Sequence, residues 1–244
     1  MKLSIIVPVF NEESTISHVL ESLTRVQFPC AVETIVVDDG STDRTAANLA
    51  LMNRDNIFKV HTSLINLGKG AAVRYGLEYA EGDYVVIQDA DLELNPLDLL
   101  NLLRPVLENG AEVVYGSRFK GPRKGLAKVP WFTILANTIL TSYTNVLFGS
   151  RLTDMATAYK LVKTDIAKKL NLRCIGFEFD PEITAKLLRT GHRIVEVPIE
   201  YAPRSNAQGK KIGWKDGFRF MYHLTRYRCA SADSLLKRVK MQES

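Results

Sequence analysis

The sequence predicts a single-domain α/β fold in which helices flank a mostly parallel, Rossmann-like central sheet. Two observations predict it. Short β-branched runs alternate with longer amphipathic stretches through the first half of the chain, as is typical of parallel strands joined by helices. The 244 residues are 46% hydrophobic, enough for one large core, and no low-complexity linker or internal repeat divides them.

The elements of the first half follow from this alternation. Five buried runs predict strands, at Leu3–Val9, Glu33–Asp38, Phe58–Thr62, Tyr84–Gln88 and Glu112–Gly116. Four amphipathic stretches between them predict helices, at Ser14–Leu23, Thr42–Met52, Gly70–Tyr79 and Pro96–Asn109. Asn95 and Pro96 supply a cap and a first-turn proline for the last of these.

The character of the chain changes after Gly116. Residues 118–128 contain five basic and no acidic side chains, which predicts either a mobile basic loop or an ordinary solvated one. Residues 131–149 carry no charge. Their threonines and asparagines favour an amphipathic helix, packed on the core or lying at a membrane interface, over a membrane span. Further on, Asp180 is predicted to cap a helix that begins near Pro181.

Composition narrows the functional classes. The three cysteines are far apart and form no C-x-x-C pair, so neither a disulfide framework nor a zinc site is indicated, and a reducing cytoplasm fits best. The apolar run before Pro8 is too short for a signal peptide and is interpreted as the first strand.

Charge is spread unevenly along the chain. The formal net charge is +5, yet residues 201–244 alone contain ten Lys or Arg against three Asp or Glu. Such a basic region suits an anionic substrate or an anionic membrane surface. Nucleic acid is disfavoured, because no interleaving of aromatic and basic residues resembles a known binding module.

Carboxylates follow three of the predicted strands. Asp89 and Asp91 come after the fourth strand, Glu12 after the first, and Asp39 after the second. Ligands of open parallel sheets bind outside the carboxyl ends of the strands, so these groups are expected to line one crevice. If the backbone stays extended, Asp89 and Asp91 share a face and can hold Mg²⁺ or Mn²⁺ with a diphosphate. Taken alone, a D-x-D pair more often marks a solvated turn at the end of a strand.

Together the motifs resemble family-2 glycosyltransferases of the GT-A fold, and most closely their polyprenyl-phosphate branch, that of the dolichyl-phosphate mannose synthases. The resemblance covers nearly the whole chain. It rests on the segments Ile5–Glu12, Val36–Ser41, Asn66–Gly70, Gln88–Glu93, Gly116–Arg118, Thr153–Met155, Gly176–Glu178, Glu196–Pro198, Pro203–Ser205 and Gly209–Ile212.

The resemblance implies roles for particular residues. The nucleotide sugar is expected to contact Pro8, Val9, Phe10, Glu12, Val37, Asp39, Lys69, Asp89, Ala90 and Asp91. Asp91 and Glu93 are expected to bind the divalent cation, Mg²⁺ or Mn²⁺, across the donor diphosphate. Arg118, Arg204 and Lys211 are expected to meet the donor and acceptor phosphates. Asp154 is a candidate base, or alternatively a carboxylate that caps a helix or orients a ligand.

The implied activity is inverting, metal-dependent transfer of a sugar from a nucleoside diphosphate to a polyprenyl phosphate. Two alternatives stay open: a saccharide hydroxyl as acceptor, and a non-catalytic nucleotide-sugar-binding scaffold. Residues 1–230 would form the domain, with a nucleotide-binding half to residue 117, an acceptor half from residue 118, and a basic tail over 231–244. The expected location is the cytoplasmic face of the membrane, peripherally bound, with a membrane partner subunit needed for any permanent anchor.

Overall fold

A computed structural model describes residues 1–204 and 214–237. Within these ranges, the strands form one seven-stranded sheet. The strands are β1 (Lys2–Val9), β2 (Ala31–Asp38), β3 (Lys59–Thr62), β4 (Tyr84–Ile87), β5 (Val113–Ser117), β6 (Lys160–Lys163) and β7 (Val195–Pro198).

The sheet order is β3-β2-β1-β4-β6-β5-β7. Strands β1 to β4 pair in parallel, as do β5 and β7, while β6 runs antiparallel between β4 and β5. The prediction of a mostly parallel sheet is confirmed. Because β1, β2, β4 and β5 all end at the same edge, the polar residues that follow them are brought together there.

Helices cover both faces of this sheet. They are α1 (Ile16–Arg25), α2 (Thr45–Met52), α3 (Lys69–Tyr79), α4 (Leu99–Asn109), α5 (Arg123–Leu126), α6 (Trp131–Phe148), α7 (Thr164–Lys169), α8 (Phe179–Arg189), α9 (Trp214–Cys229) and α10 (Ala232–Leu235). Side chains of successive strand residues point to opposite faces of the sheet, so β1 contributes side chains to two hydrophobic cores. Ile5 packs with the α1 and α4 side, and Ile6 packs with the α3 and α8 side.

The structure corrects several expectations in detail. Strand β4 ends at Ile87, one residue before the predicted end, and Ala90 and Asp91 lie in a turn. The extended backbone on which Asp89 and Asp91 would share a face is therefore not adopted. The predicted helix from Pro96 divides into a 3₁₀ turn, Pro96–Asp98, and α4, because a hydrogen bond from the Leu97 N–H to the Asn95 side chain fixes a tight start.

Two further corrections concern the second half. Helix α8 begins at Phe179 without a side-chain cap, so Asp180 does not cap it. The Asp180 carboxylate instead accepts a hydrogen bond from the buried Lys160 ammonium at 2.7 Å. The segment predicted as a basic loop contains the short helix α5. The expected uncharged helix is present as α6, and none of the helices among the described residues is long and apolar enough to cross a membrane.

Candidate active site

A pocket of about 600 Å³ opens at the strand edge where β1, β4 and β5 end. One part of its wall is charged or polar and the other is apolar. The polar lining residues are Glu12, Lys69, Asp89, Asp91, Glu93, Arg118, Thr133, Asn137, Asp180, Tyr201 and Arg204. The large apolar ones are Leu94, Phe119, Leu126, Val129, Phe132, Ile134, Leu140, Phe177 and Phe220. Seven of the predicted site residues thus meet in one cavity: Glu12, Lys69, Asp89, Asp91, Glu93, Arg118 and Arg204.

The turn that follows β4 aims its two aspartates at different partners. The Asp89 carboxylate forms an ion pair with Lys69, with Nζ 2.7 Å from Oδ1. Asp91 Oδ1 accepts a hydrogen bond of 3.1 Å from the Glu93 N–H. Leu92, which lies between Asp91 and Glu93, adopts a φ of 60°. This left-handed conformation costs free energy for a residue with a bulky side chain. The sequence left a turn open as the alternative to an extended backbone, but it contains no signal for the left-handed Leu92.

Negative charge is concentrated around Asp91. The pKa of Asp91 is raised to about 7, mainly because the carboxyl group is buried. The negative charges of Asp89 and Glu93 raise it further. On Lys69, burial opposes the charged form, but Asp89 and Asp180 raise its pKa above the ordinary value. The Lys69 ammonium therefore lies beside Asp89, whereas the carboxylates of Asp89 and Glu93 lie near Asp91.

The donor set around Asp91 fits a hard divalent cation completed by substrate. Glu93 is already engaged: its Oε1 accepts the Arg204 N–H at 2.9 Å and its Oε2 accepts the Tyr201 hydroxyl at 3.1 Å. Among the described residues, no group of three or more His, Cys, Asp or Glu side chains could hold a metal. One or two carboxylates with phosphate oxygens and water is the usual Mg²⁺ arrangement, and Asp91 is placed for it.

Glu12 and the Asp91 carbonyl hold the Arg204 guanidinium. Its guanidinium forms a two-point ion pair with Glu12, with Nη2 2.7 Å from Oε2 and Nη1 3.1 Å from Oε1. Its Nε donates to the Asp91 carbonyl at 2.7 Å. Glu12, predicted on the nucleotide wall, therefore orients a predicted phosphate-binding residue.

Arg118 is held by Asp154. Nε lies 2.7 Å from Oδ2 and Nη2 lies 2.7 Å from Oδ1, while the Arg118 N–H also donates to Oδ2. Asp154 is fully buried and accepts a further bond from Asn137. Its carboxylate is thus saturated with donors, which favours the orienting role over that of a base.

The remaining predicted nucleotide residues are not among those that line this pocket. Val9, Val37 and Ala90 pack in the hydrophobic cores, Pro8 is buried in β1 beside Val37, and Phe10 is half-buried where β1 ends. The Asp39 carboxylate accepts the N–H groups of Leu67 and Gly68, at 3.0 and 2.6 Å. Asp39 thereby fixes the loop that leads into α3. Lys211 lies outside the described residues.

Sequence reasoning missed three pocket residues. Tyr201 donates to Glu93 and its ring lies 5.2 Å from the Arg118 guanidinium carbon. Asn137 reaches Asp154 from α6, and Asp180 lines the pocket. Tyr201 comes three residues before Arg204 in the sequence, and this proximity was the one signal that could have identified it as a site residue. Asn137 gave none, because an asparagine in an uncharged stretch is ordinary.

Comparison with known proteins places this architecture. A family model described as glycosyl transferase family 2 matches residues 4–170. The polyprenol monophosphomannose synthase of Mycolicibacterium smegmatis is 29% identical over 219 residues, covering 86% of this chain and 80% of that one. The dolichol-phosphate mannosyltransferase of Pyrococcus furiosus is 27% identical, covering 93% of this chain and 63% of that one. The dodecaprenyl-phosphate galacturonate synthase of Rhizobium johnstonii is 28% identical, covering 86% and 62%.

The chain spans less than two thirds of the length of the last two relatives. Among solved structures, the glucosyl-3-phosphoglycerate synthase of Mycobacterium tuberculosis in complex with UDP has a TM-score of 0.72 at 20% identity, covering 95% of this chain and 82% of that one. The same enzyme with Mn²⁺, UDP-glucose and phosphoglyceric acid also has a TM-score of 0.72, at 20% identity, covering 95% and 81%. The GT-A fold expected from the sequence is confirmed.

Proposed function

Because the chain belongs to glycosyl transferase family 2, we propose that it moves a sugar of the mannose or glucose class from a nucleoside diphosphate to a polyprenyl phosphate, with inversion. Family membership makes the protein a glycosyltransferase, and the alternative of a non-catalytic scaffold is set aside. The observation that carries the proposed acceptor is the divided pocket. Its charged part suits the donor diphosphate and the acceptor phosphate, and its apolar part suits a hydrocarbon chain.

Helix α6 extends the apolar wall to the surface. It buries Leu140, Thr141 and Thr144 while exposing large apolar side chains on the opposite face. The exposed ones are Trp131, Phe132, Leu135, Ile139 and Val146. A helix on the surface of a soluble protein normally turns charged and polar side chains toward water. The exposed apolar face of α6 therefore favours contact with an apolar partner. A lipid acceptor embedded in a membrane would supply one.

The chemistry needs no protein base when the acceptor is a phosphate. A lipid phosphate oxygen, already anionic near neutral pH, attacks the anomeric carbon in line. The bond from that carbon to the donor diphosphate breaks, and its electron pair leaves on the diphosphate. Arg118 and Arg204 are held by carboxylates at the pocket wall, where their donors can stabilise this charge.

Metal binding is part of the proposal. Asp91 would hold Mg²⁺ or Mn²⁺ against the diphosphate, with Glu93 as a lesser ligand because both of its oxygens already accept hydrogen bonds. A bound cation supplies Lewis-acid stabilisation of the leaving group. Lys69 and Asp89 form the neighbouring charged wall, and the remaining predicted nucleotide residues support it.

A saccharide hydroxyl is the alternative acceptor. It has to lose its proton as it attacks, so it needs a base within hydrogen-bond reach. Asp154 is the residue that the sequence offers, yet it is fully buried and bound to Arg118. This geometry supports the phosphate acceptor. Location at the cytoplasmic membrane face, and a membrane partner subunit, belong to the same proposal.

The test is donor turnover with polyprenyl phosphate and then with saccharide acceptors, scored as nucleoside diphosphate release. Transfer to the lipid phosphate that vanishes in Asp91→Ala and persists, reduced, in Asp154→Asn supports the proposal. The residual Asp154→Asn activity should keep the pH profile of the unmodified enzyme. Turnover with saccharides alone, or a pH profile that loses its acidic limb in Asp154→Asn, would contradict it.

A further inference from the structure

Glu196 lies beneath the active site without reaching the pocket. It sits in β7 opposite Tyr115 of β5, and its side chain is 3% exposed. Its Oε1 accepts the N–H groups of Thr153 and Asp154, at 2.8 and 3.0 Å, and its Oε2 accepts the Thr153 hydroxyl at 2.9 Å. One buried carboxylate therefore fixes Thr153 and Asp154, the second of which is the partner of Arg118.

A second branch of the same contact reaches Arg118 from the other side. The Thr153 hydroxyl oxygen lies 2.6 Å from the Ser117 hydroxyl, and Ser117 is the residue before Arg118. Because the Thr153 proton is donated to Glu196, the Ser117 hydroxyl is the donor to Thr153. Glu196 thus holds the backbone of Asp154 directly, and it holds Ser117, the residue before Arg118, through the Thr153 and Ser117 hydroxyls.

We propose that Glu196 is a positioning residue, which sets the Arg118 guanidinium by holding Thr153 and Asp154 in place. The inference rests on the proposed function in one respect, the role of Arg118 toward phosphate. Arginine binds a phosphate well only when its planar donors are correctly oriented. Without the Glu196 carboxylate, the N–H groups of Thr153 and Asp154 lose their acceptor. The backbone that carries the Asp154 carboxylate is then no longer fixed, so the Arg118 guanidinium is no longer preorganised.

The test is a double-mutant cycle between Glu196→Ala and Arg118→Ala, with turnover measured with whichever acceptor is active. We expect Glu196→Ala to lower kcat about 10- to 100-fold, with KM for the donor changed less than about 3-fold. In the Arg118→Ala background, the same change should cost less than about 2-fold, because the group it positions is gone. An equal loss in both backgrounds would overturn the proposal.

Conservative and matched variants complete the cycle. Glu196→Gln should stay within about 3-fold of the unmodified enzyme, because Oε1 keeps both N–H groups and the amide can donate to the Thr153 oxygen. Glu200→Ala removes an exposed carboxylate four residues away and should have no effect. If Glu196→Ala does not fold, Thr153→Val replaces it in the cycle. A loss in Glu196→Gln as large as that in Glu196→Ala also counts against positioning.

The proposed acceptor and the role of Glu196 can fail separately. If polyprenyl phosphate is inactive and a saccharide is active, the acceptor is wrong, yet the cycle is still measured with the saccharide. If the lipid phosphate is active and the losses multiply across the two backgrounds, the acceptor stands and the positioning role falls.

Discussion

The Arg204 guanidinium and the Glu12 carboxylate form a two-point ion pair across 192 residues of sequence. Both side chains are largely withdrawn from water, at 13% and 8% exposure. The pair joins the loop after β1 to the segment after β7, and the Arg204 Nε bond to the Asp91 carbonyl brings in the turn after β4. Three strand ends are therefore locked around the pocket by one arginine.

This pair predicts strong coupling between its members. Glu12→Ala and Arg204→Ala should each lower kcat/KM at least about 10-fold, since either change leaves a mostly buried charge without its partner. The double mutant should be no worse than the worse single mutant. Steady-state kinetics on the four proteins measures this. Losses that multiply would indicate that Glu12 contacts the nucleotide independently of Arg204.

The metal site predicts an asymmetry between its two acids. Asp91→Ala should lower turnover at least about 100-fold, because it removes the carboxylate expected to hold the cation. Glu93→Gln should lower it less than about 10-fold, because an amide still bonds to Tyr201 and the Arg204 N–H. Chelator should abolish activity in the unmodified enzyme, and Mn²⁺ or Mg²⁺ should restore it. Equal losses in the two variants would make Glu93 a principal ligand.

The sequence predicted the sheet and the position of the site well, for a physical reason. Buried parallel strands such as Leu3–Val9 are nearly continuous apolar runs, and polar residues that follow them must meet at one edge. What it could not predict were pairings between distant residues. Nothing local links Glu12 to Arg204 or Asp154 to Arg118, so the first two were assigned to separate ligands and Asp154 was left between two roles.

The turn after β4 shows a different limit. Alternation of side chains would place Asp89 and Asp91 together only on an extended chain. The observed turn instead has a left-handed Leu92, and Glu93 accepts hydrogen bonds from the Tyr201 hydroxyl and the Arg204 N–H. Both donors come from the second half of the chain, far from the turn in sequence. Long-range contacts outweigh local preference here.

Stability in acid should depend on Glu33, which lies at the opposite edge of the sheet. Burial alone would raise its pKa, but hydrogen bonds from Lys2, Ser4 and Lys59 lower it from 4.5 to about 2. A lowered pKa in the folded state means that Glu33 stabilises the protein above about pH 4.5, and that this stabilisation is lost as the pH falls toward 2.

Urea unfolding at several pH values between 7 and 3 measures this contribution. Glu33→Gln should be less stable at pH 7 and lose less stability on acidification than the unmodified protein. Glu81→Gln is the matched control, because Glu81 pairs with the same two lysines but is 66% exposed, and exposed pairs contribute little. A parallel pH dependence in Glu33→Gln and the unmodified protein would refute the role of Glu33.

The exposed face of α6 predicts membrane binding through named side chains. Trp131 and Phe132 are 74% and 60% exposed at the start of the helix, beside the apolar wall of the pocket. Replacing both by serine should weaken binding to anionic vesicles at low salt at least about 10-fold, since each removes a large apolar surface from the lipid interface. Co-sedimentation with vesicles measures this loss.

A control variant separates this effect from general loss of apolar surface. Ile57 is 58% exposed in the segment between α2 and β3, and Ile57→Ser should leave vesicle binding unchanged. The double serine variant should keep kcat on a water-soluble, short-chain polyprenyl phosphate, because the polar part of the pocket is intact, while its KM should rise, because Phe132 also lines the apolar wall. Vesicle binding that survives the double change, or falls equally in Ile57→Ser, would remove α6 from the membrane contact and leave the apolar pocket wall as the sole structural support for a lipid acceptor.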